Sequence, residues 1–283
     1  MKNIAWIGTG FMGKPMANHL ADGGHKVVVY NRSLAKTSGM NKMVAVADTI
    51  KACVHDADIV FTMVGYPRDV EQVYQEVFKY AKPGAIFIDM TTSSPKLARS
   101  LAKTAVAKGF EMIDAPVTGG AIGAQKASLS IMVGSSVSTF NLVKPLLSLL
   151  GTKIILMGSA GSGQDAKLAN QIAVAGNIIA IAEALSFAKL KNLNLDHMLE
   201  IINNGAGGSW QSVNTAPKMV IKDFTPSFLV KHFVKDLGLV LEEKEVLKLP
   251  IVEQAFKIYA TLEKANLGDI GNQVVIEYYL QNM

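Results

Sequence analysis

The chain reads as an α/β protein, a doubly wound and mostly parallel sheet, followed by an all-helical domain. Three observations predict this. Short β-branched runs alternate with helical stretches through the first half. The central runs, such as Ile59–Val64, are continuously apolar, as expected of strands covered on both faces. After Gly163 strand-like runs disappear, and segments rich in Ala, Leu, Ile, Lys and Glu take over. The division is placed at 1–162 and 163–283.

In order, the predicted strands are KNIAWIG, HKVVVY, DADIVFTMV, GAIFIDM, FEMIDAPV, SLSIMVG and TKIILMG. Helix signals fill the gaps: Pro67 and Pro95 suit first-turn positions, and Ser136 precedes the run Val137–Leu150 as a cap. The second domain opens on a long helix, roughly Gln164 to Lys191, with small residues on its apolar face that favour close packing. Asn170, Gln171, Asn177 and Glu183 interrupt its hydrophobic stretch, so it reads as a buried helix and not as a membrane span.

Composition bounds the function. With 283 residues, 49% of them hydrophobic, the chain can bury a sizeable core. A net charge of +5 spread among acids, without a basic block, excludes nucleic acid as the expected partner. One cysteine, Cys53, on the apolar face of a short helix, fits a reducing compartment. The first residues lead directly into a strand without a signal-peptide pattern, so the expected location is cytoplasmic.

The first strand runs into Gly8-Thr9-Gly10-Phe11-Met12-Gly13 and then a helical stretch, Lys14–Asp22. That is the context in which a glycine fingerprint carries meaning. Gly8 permits the tight turn, Gly10 lets the backbone approach a pyrophosphate, and Gly13 lets helix and strand pack closely. Phe11 and Met12 belong to the same cofactor-binding turn. A Rossmann dinucleotide site follows. The second strand ends in Asn31-Arg32-Ser33, where an NAD-preferring site commonly has an acid. Arg32 matches a 2′-phosphate, with Asn31 and Ser33 as hydrogen-bonding neighbours, so NADP is the preferred cofactor and NAD remains possible. At later strand ends, Met63 and Val64 line the cofactor and Thr92 approaches the nicotinamide.

Hydride transfer at a carbinol carbon needs a proton donor and acceptor. The five histidines fall on surface-like positions without clustered carboxylates, and no metal cluster emerges. Lys167 follows the glycine-rich turn Gly158–Gly163, which brings the long helix against the ligand edge of the sheet, facing the cleft between domains. It is the expected catalytic acid/base. Asn170 and Gln171, one turn on, are placed to orient substrate. In Asp114-Ala115-Pro116-Val117-Thr118-Gly119-Gly120, a strand opens into a loop where Thr118, Gly119 and Gly120 suit a substrate carboxylate.

On Gly8–Gly13, Asp114–Gly120, Gly161–Gln171 and Phe233-Val234-Lys235-Asp236-Leu237, the chain resembles the β-hydroxyacid dehydrogenase family over nearly its full length. That family includes 3-hydroxyisobutyrate dehydrogenases and tartronate, succinic and glyoxylate semialdehyde reductases. The resemblance implies Lys167 as acid/base, Lys235 reaching the cofactor with Asp236 nearby, and a homo-oligomer, dimer or tetramer. The implied activity is reversible interconversion of a small carboxylated aldehyde or ketone with its hydroxy acid. Imine reduction and non-catalytic NADP binding stand as alternatives. Many members have serine at the position of Thr118 and asparagine at that of Gln171, which leaves open whether Asn170 or Gln171 contacts substrate.

Overall fold

The computed structural model describes residues 1–280. By packing, the chain divides into two compact units, Met1–Lys167 and Leu168–Met283. The division falls a turn beyond the sequence-derived boundary at 162/163. Side-chain and backbone bonds tie the start of the long helix to the sheet, so its first residues pack with the first unit.

The first unit is built on a nine-stranded sheet. Its strands are β1 (Asn3–Ile7), β2 (Lys26–Tyr30), β3 (Val44–Val46), β4 (Ile59–Thr62), β5 (Ile86–Asp89), β6 (Glu111–Asp114), β7 (Val117–Thr118), β8 (Leu129–Gly134) and β9 (Gly151–Gly158). The order is β3-β2-β1-β4-β5-β6-β8-β7, with β9 on β8. Strands β1 to β6 are parallel, whereas β8 runs antiparallel to β6 and β7, and β9 lies parallel to β8. The sheet order reverses between β1 and β4, which fixes the switch point where such sheets bind ligands.

Helices α1 (Gly13–Asp22), α2 (Ile50–Val54), α3 (Pro67–Tyr80), α4 (Pro95–Ala107), α5 (Gly120–Gln125) and α6 (Val137–Leu147) connect the strands. Pro67 and Pro95 open α3 and α4, where a missing N–H costs nothing. Ser94 and Ser136 cap α4 and α6 by accepting from Leu97 N and Thr139 N. Alternate residues of β1 serve opposite faces of the sheet: Ile4 and Trp6 join one core cluster, Ala5 and Ile7 the other. This explains why the central strands read as unbroken apolar runs.

Two strands depart from expectation. β3 is only three residues long and has a single buried side chain, Val44, too little for a periodic signal. The run FEMIDAPV is not one strand, because Pro116 lacks the N–H a ladder needs and splits it into β6 and β7. Both pieces keep a single register against β8, through Asp114↔Gly134 and Val117↔Ile131.

A long helix, α7 (Ser162–Leu190), passes from the first unit into the second. It is long and apolar enough to cross a membrane, and half of its most apolar stretch is buried inside the protein. The second unit continues with α8 (Leu195–Asn204), α9 (Trp210–Asn214), α10 (Ala216–Val220), α11 (Val230–Glu243), α12 (Pro250–Leu262) and α13 (Val275–Leu280). Its core joins Ile178, Ala182 and Leu185 of α7 to Phe233 and Leu237 of α11 and Tyr259 of α12. Phe233 and Tyr259 meet edge to face with ring centres 4.8 Å apart.

Candidate active site

At the switch point, the turn after β1 is held from below. Trp6 lies buried beneath it, stacked on Phe61, and donates its indole N–H to Gly8 O at 2.8 Å. Gly8 N donates to Tyr30 O. Gly8 has φ +102°, and a Cβ there would collide with Met63 O at the end of β4. Gly13 is equally constrained, because its Cβ would overlap Gly8 O. These two glycines are explained by the protein's own packing. Gly10 is not: its φ is not positive and a Cβ would meet no protein atom within 4 Å. The space over Gly10 is therefore a cradle that one methyl group would fill. Beside it α1 starts at Gly13, preceded by Met12, which supplies no side-chain cap, and its first turn holds no acid. Uncapped N–H groups next to a side-chain-free backbone fit a pyrophosphate. Met12 is half-buried against the core, and Phe11 stands exposed on the loop.

The corner after β2 is tied to this turn. Asn31 Oδ1 accepts from Thr9 N at 3.0 Å, and its Nδ2 donates to Ser33 O at 2.9 Å. Asn31 thus shapes the corner. Ser33 is exposed and leads a 3-10 turn, Leu34–Thr37. Arg32 is 85% exposed, with its guanidinium 3.6 Å from Asp69, which belongs to the capping box of α3.

A buried chain of hydrogen bonds sets the ends of β4 and β5. Thr62 Oγ1 donates to Asp89 Oδ1 at 2.7 Å and lies 3.1 Å from the Tyr74 hydroxyl. Asp89 also accepts from Thr91 N, and Thr91 Oγ1 accepts from Val64 N. The Val64 peptide is placed by this network. Burial, opposed by the Thr62 hydrogen bond, pushes the Asp89 carboxyl up to about 6.

The start of α7 is fixed by Asp114 at the end of β6. Its carboxylate accepts from Gly161 N at 2.6 Å and Gln164 N at 2.8 Å. Gly134 and Gly163 leave the room, since a Cβ at either would strike the Asp114 carboxylate. Burial raises this carboxyl to about 6, with the Gly161 and Gln164 N–H groups working the other way. Gln164, fully buried, donates to Thr91 O at 2.7 Å and accepts from Ser93 N at 2.9 Å. Three residues later, on the same helix face, comes Lys167, only 7% exposed. A solvated first-turn lysine is thereby excluded. Thr118, Gly119 and Gly120 are half-buried, and positive φ values at Gly119 (+126°) and Gly120 (+61°) turn the chain into α5.

In the second unit, Gln171 is buried and has both ends of its amide engaged. Nε2 donates to Asp236 Oδ2 at 2.7 Å, and Oε1 accepts from Asn170 Nδ2 at 3.1 Å. Lys235 Nζ lies 2.8 Å from Asp236 Oδ1, close in distance but off-line for a hydrogen bond. His232 corrects the expectation of surface histidines without acidic neighbours. It is half-buried on α11, one turn before Asp236, and burial, with Lys235 as the next cause, lowers it to about 4.

Sequence reasoning assigned no role to Asp114, Gln164 or Asp89, and named Asp236 only as a neighbour of Lys235. For Asp114, the glycines that make room for it lie at positions 134 and 163, legible only once the strands are paired.

Residues 3–158 match the family model described as the NAD binding domain of 6-phosphogluconate dehydrogenase. Residues 161–279 match that described as NAD-binding of NADP-dependent 3-hydroxyisobutyrate dehydrogenase. The oxidoreductase YkwC of Bacillus subtilis (strain 168) is 42% identical, over 99% of each chain. A probable mitochondrial 3-hydroxyisobutyrate dehydrogenase-like 1 of Arabidopsis thaliana is 41% identical, over 96% of this chain and 84% of its own. The solved structure of Mycobacterium tuberculosis 3-hydroxyisobutyrate dehydrogenase with L-serine has a TM-score of 0.87 at 34% identity, covering 98% of this chain and 99% of that one. Fold and relatives together define an NAD(P)-binding oxidoreductase that acts on a CH–OH group. The chain belongs to the β-hydroxyacid dehydrogenase family and is similar within it to the 3-hydroxyisobutyrate dehydrogenases.

Proposed function

We propose that this protein is an NADP-preferring enzyme that interconverts a small carboxylated aldehyde or ketone and its hydroxy acid, with Lys167 as the acid/base. The observation that carries the reading is the burial of Lys167 on a helix start that Asp114 and Gln164 pin to the ends of β5 and β6.

The residues present fit the cofactor. Gly8, Gly10, Phe11, Met12 and Gly13 would hold the pyrophosphate, for which the gap over Gly10 and the uncapped start of α1 speak. Met63 and Val64 would line the adenosine side, Thr92 the nicotinamide, and Lys235 would add a cation. Arg32 and Ser33 would meet the 2′-phosphate, with Asn31 shaping their corner. An exposed guanidinium 3.6 Å from Asp69 has donors to spare for a second anion. When bound, the cofactor supplies or takes the hydride at the carbonyl carbon. The Thr118–Gly120 backbone holds the substrate carboxylate, and Asn170 or Gln171 steadies the group beside it. In reduction, the Lys167 ammonium gives its proton to the substrate oxygen as the carbonyl π electrons move onto it; in oxidation, the neutral amine takes that proton back. L-serine in the M. tuberculosis relative combines the same two features, a carboxylate and a β-hydroxyl.

The test is oxidation of NADPH, with NADH in parallel, against succinic, tartronic and methylmalonic semialdehydes and glyoxylate. Turnover of at least one, with NADPH favoured, is the expected result. Tight NADPH binding without turnover of any would overturn the reading in favour of a binding role.

A further inference from the structure

Reduction of a carbonyl group serves two atoms at once: the hydride goes to the carbon and the proton to the oxygen, about 1.2 Å away. The nicotinamide and Lys167 must therefore be held in one register. We propose that Gln164 is the positioning residue that sets this register, by tying the helix turn that carries Lys167 to the two peptides flanking Thr92, which faces the nicotinamide. This deepens the proposed function and rests on it. Every residue involved belongs to the first unit, Met1–Lys167.

Gln164 is fully buried, and its two partners dictate which way its amide points. Thr91 O can only accept and Ser93 N can only donate, so Nε2 faces the first at 2.7 Å and Oε1 the second at 2.9 Å. Exchanging the two ends of the amide would set carbonyl against carbonyl and N–H against N–H. The Thr91 carbonyl belongs to the peptide before Thr92, and the Ser93 N–H to the peptide after it. One side chain thus fixes both planar peptides, and with them the direction of the residue between. Thr91 and Ser93 are themselves buried, so bulk water does not stand in for the amide.

The backbone of Gln164 supplies the other end of the tie. Its N–H donates to Asp114 Oδ2 while Gly161 N donates to Oδ1, which fixes the first turn of α7 to the end of β6. Asp114 is paired in register with Asp89 of β5, so the two anchors lie on neighbouring strand ends. Asp114 alone would leave the helix free to turn about one point; the bonds from the Gln164 side chain to the loop after β5 remove that freedom. Lys167 follows three residues later in α7 and is carried with Gln164 by the helix backbone. A shift of the Gln164 side chain therefore moves the lysine and the Thr92 segment relative to each other, although Gln164 touches neither substrate nor cofactor.

The test compares Gln164→Met and Gln164→Glu with wild type, measuring kcat for reduction of the best semialdehyde and the Kd of NADPH below the melting temperature of each protein. Methionine keeps the size without the hydrogen bonds, and a misplacement of about 1 Å costs roughly 100-fold, so kcat should fall by about that factor. The Kd of NADPH should stay within about threefold of wild type, whereas a merely structural role would weaken both together. A neutral carboxylic acid reproduces the donor and acceptor of the amide, but a carboxylate has no donor for Thr91 O. Burial favours the neutral acid, so kcat of Gln164→Glu, taken as a ratio to wild type at each pH, should recover as pH falls from about 8 to about 5. Asp89, Asp114, Lys167 and the Arg99–Asp165 pair stand near the same turn in both proteins, and the ratio removes their own titration. Gln164→Met should show no such recovery. A kcat in Gln164→Met within about threefold of wild type would overturn the proposal, as would a parallel loss of NADPH affinity or a Gln164→Glu ratio that does not change with pH. If Gln164→Met does not fold, the pH-dependent ratio decides alone. Failure of the underlying acid/base reading shows separately, as full turnover by Lys167→Ala, and absence of turnover in wild type overturns both.

Discussion

Replacing Gly10 by alanine separates binding from folding more sharply than any other change at the nucleotide turn. Gly10 has no positive φ, and a Cβ there meets no protein atom within 4 Å. The folded chain should accept the methyl group without strain. Because alanine restricts the unfolded chain, stability should rise by about 0.4–1 kcal/mol, which raises the melting temperature by roughly 1–4 °C at this size. The same methyl group would stand in the space assigned to the pyrophosphate. An overlap of that kind costs about 1–3 kcal/mol, so NADPH affinity should fall roughly 10- to 100-fold. Gly8→Ala is the internal contrast: φ +102° and a collision with Met63 O should destabilise the first unit by about 3 kcal/mol or more. The assay is NADPH fluorescence titration beside a thermal melt. Wild-type affinity in Gly10→Ala would refute the placement of the cofactor, and marked destabilisation would refute the account of an open cradle.

Further expectations follow from charge. Arg32→Ala should raise the KM for NADPH roughly 10- to 100-fold, the worth of a charge-assisted hydrogen bond, and leave that for NADH nearly unchanged; equal effects on both would remove Arg32 from the 2′-phosphate. Acidification should move the two units in opposite directions. His232 is lowered from 6.5 to about 4, so as pH falls between those values the unfolded second unit takes up a proton that the folded one refuses, and stability drops by up to about 1.4 kcal/mol per pH unit. Asp89 and Asp114 are raised from 3.8 to about 6. Between those values the folded first unit is the state that binds protons, so their contribution to its stability grows as pH falls and is lost as pH rises through 6. Hydrogen exchange at pH 7 and pH 5 reads both: α11 should lose protection relative to β5 and β6, and uniform loss would contradict the assignment.

The outline of the fold was legible because local signals carried it. The glycine turn stood between a strand and a helix, and prolines and serines marked helix starts where they were found. What stayed hidden was long-range. Asp114 reads as one letter of a loop motif until β6 is set beside Gly161 and Gln164, 47 and 50 residues away. Gln164 is an unremarked helix residue until it bonds Ser93 across 71 positions. Helical angle could not show that the Gln171 amide is committed to an acceptor 65 residues further on. His232 was misplaced for a related reason: its helix periodicity shows amphipathicity but not how deep each polar position sits.

The central claim is that Lys167 moves the proton. The most direct test is kcat for reduction of the best semialdehyde by Lys167→Ala, with NADPH affinity measured on the same preparation. Loss of a positioned acid/base predicts a fall of roughly 100- to 10,000-fold while NADPH still binds within about twofold of wild type. Full turnover in that variant would contradict it.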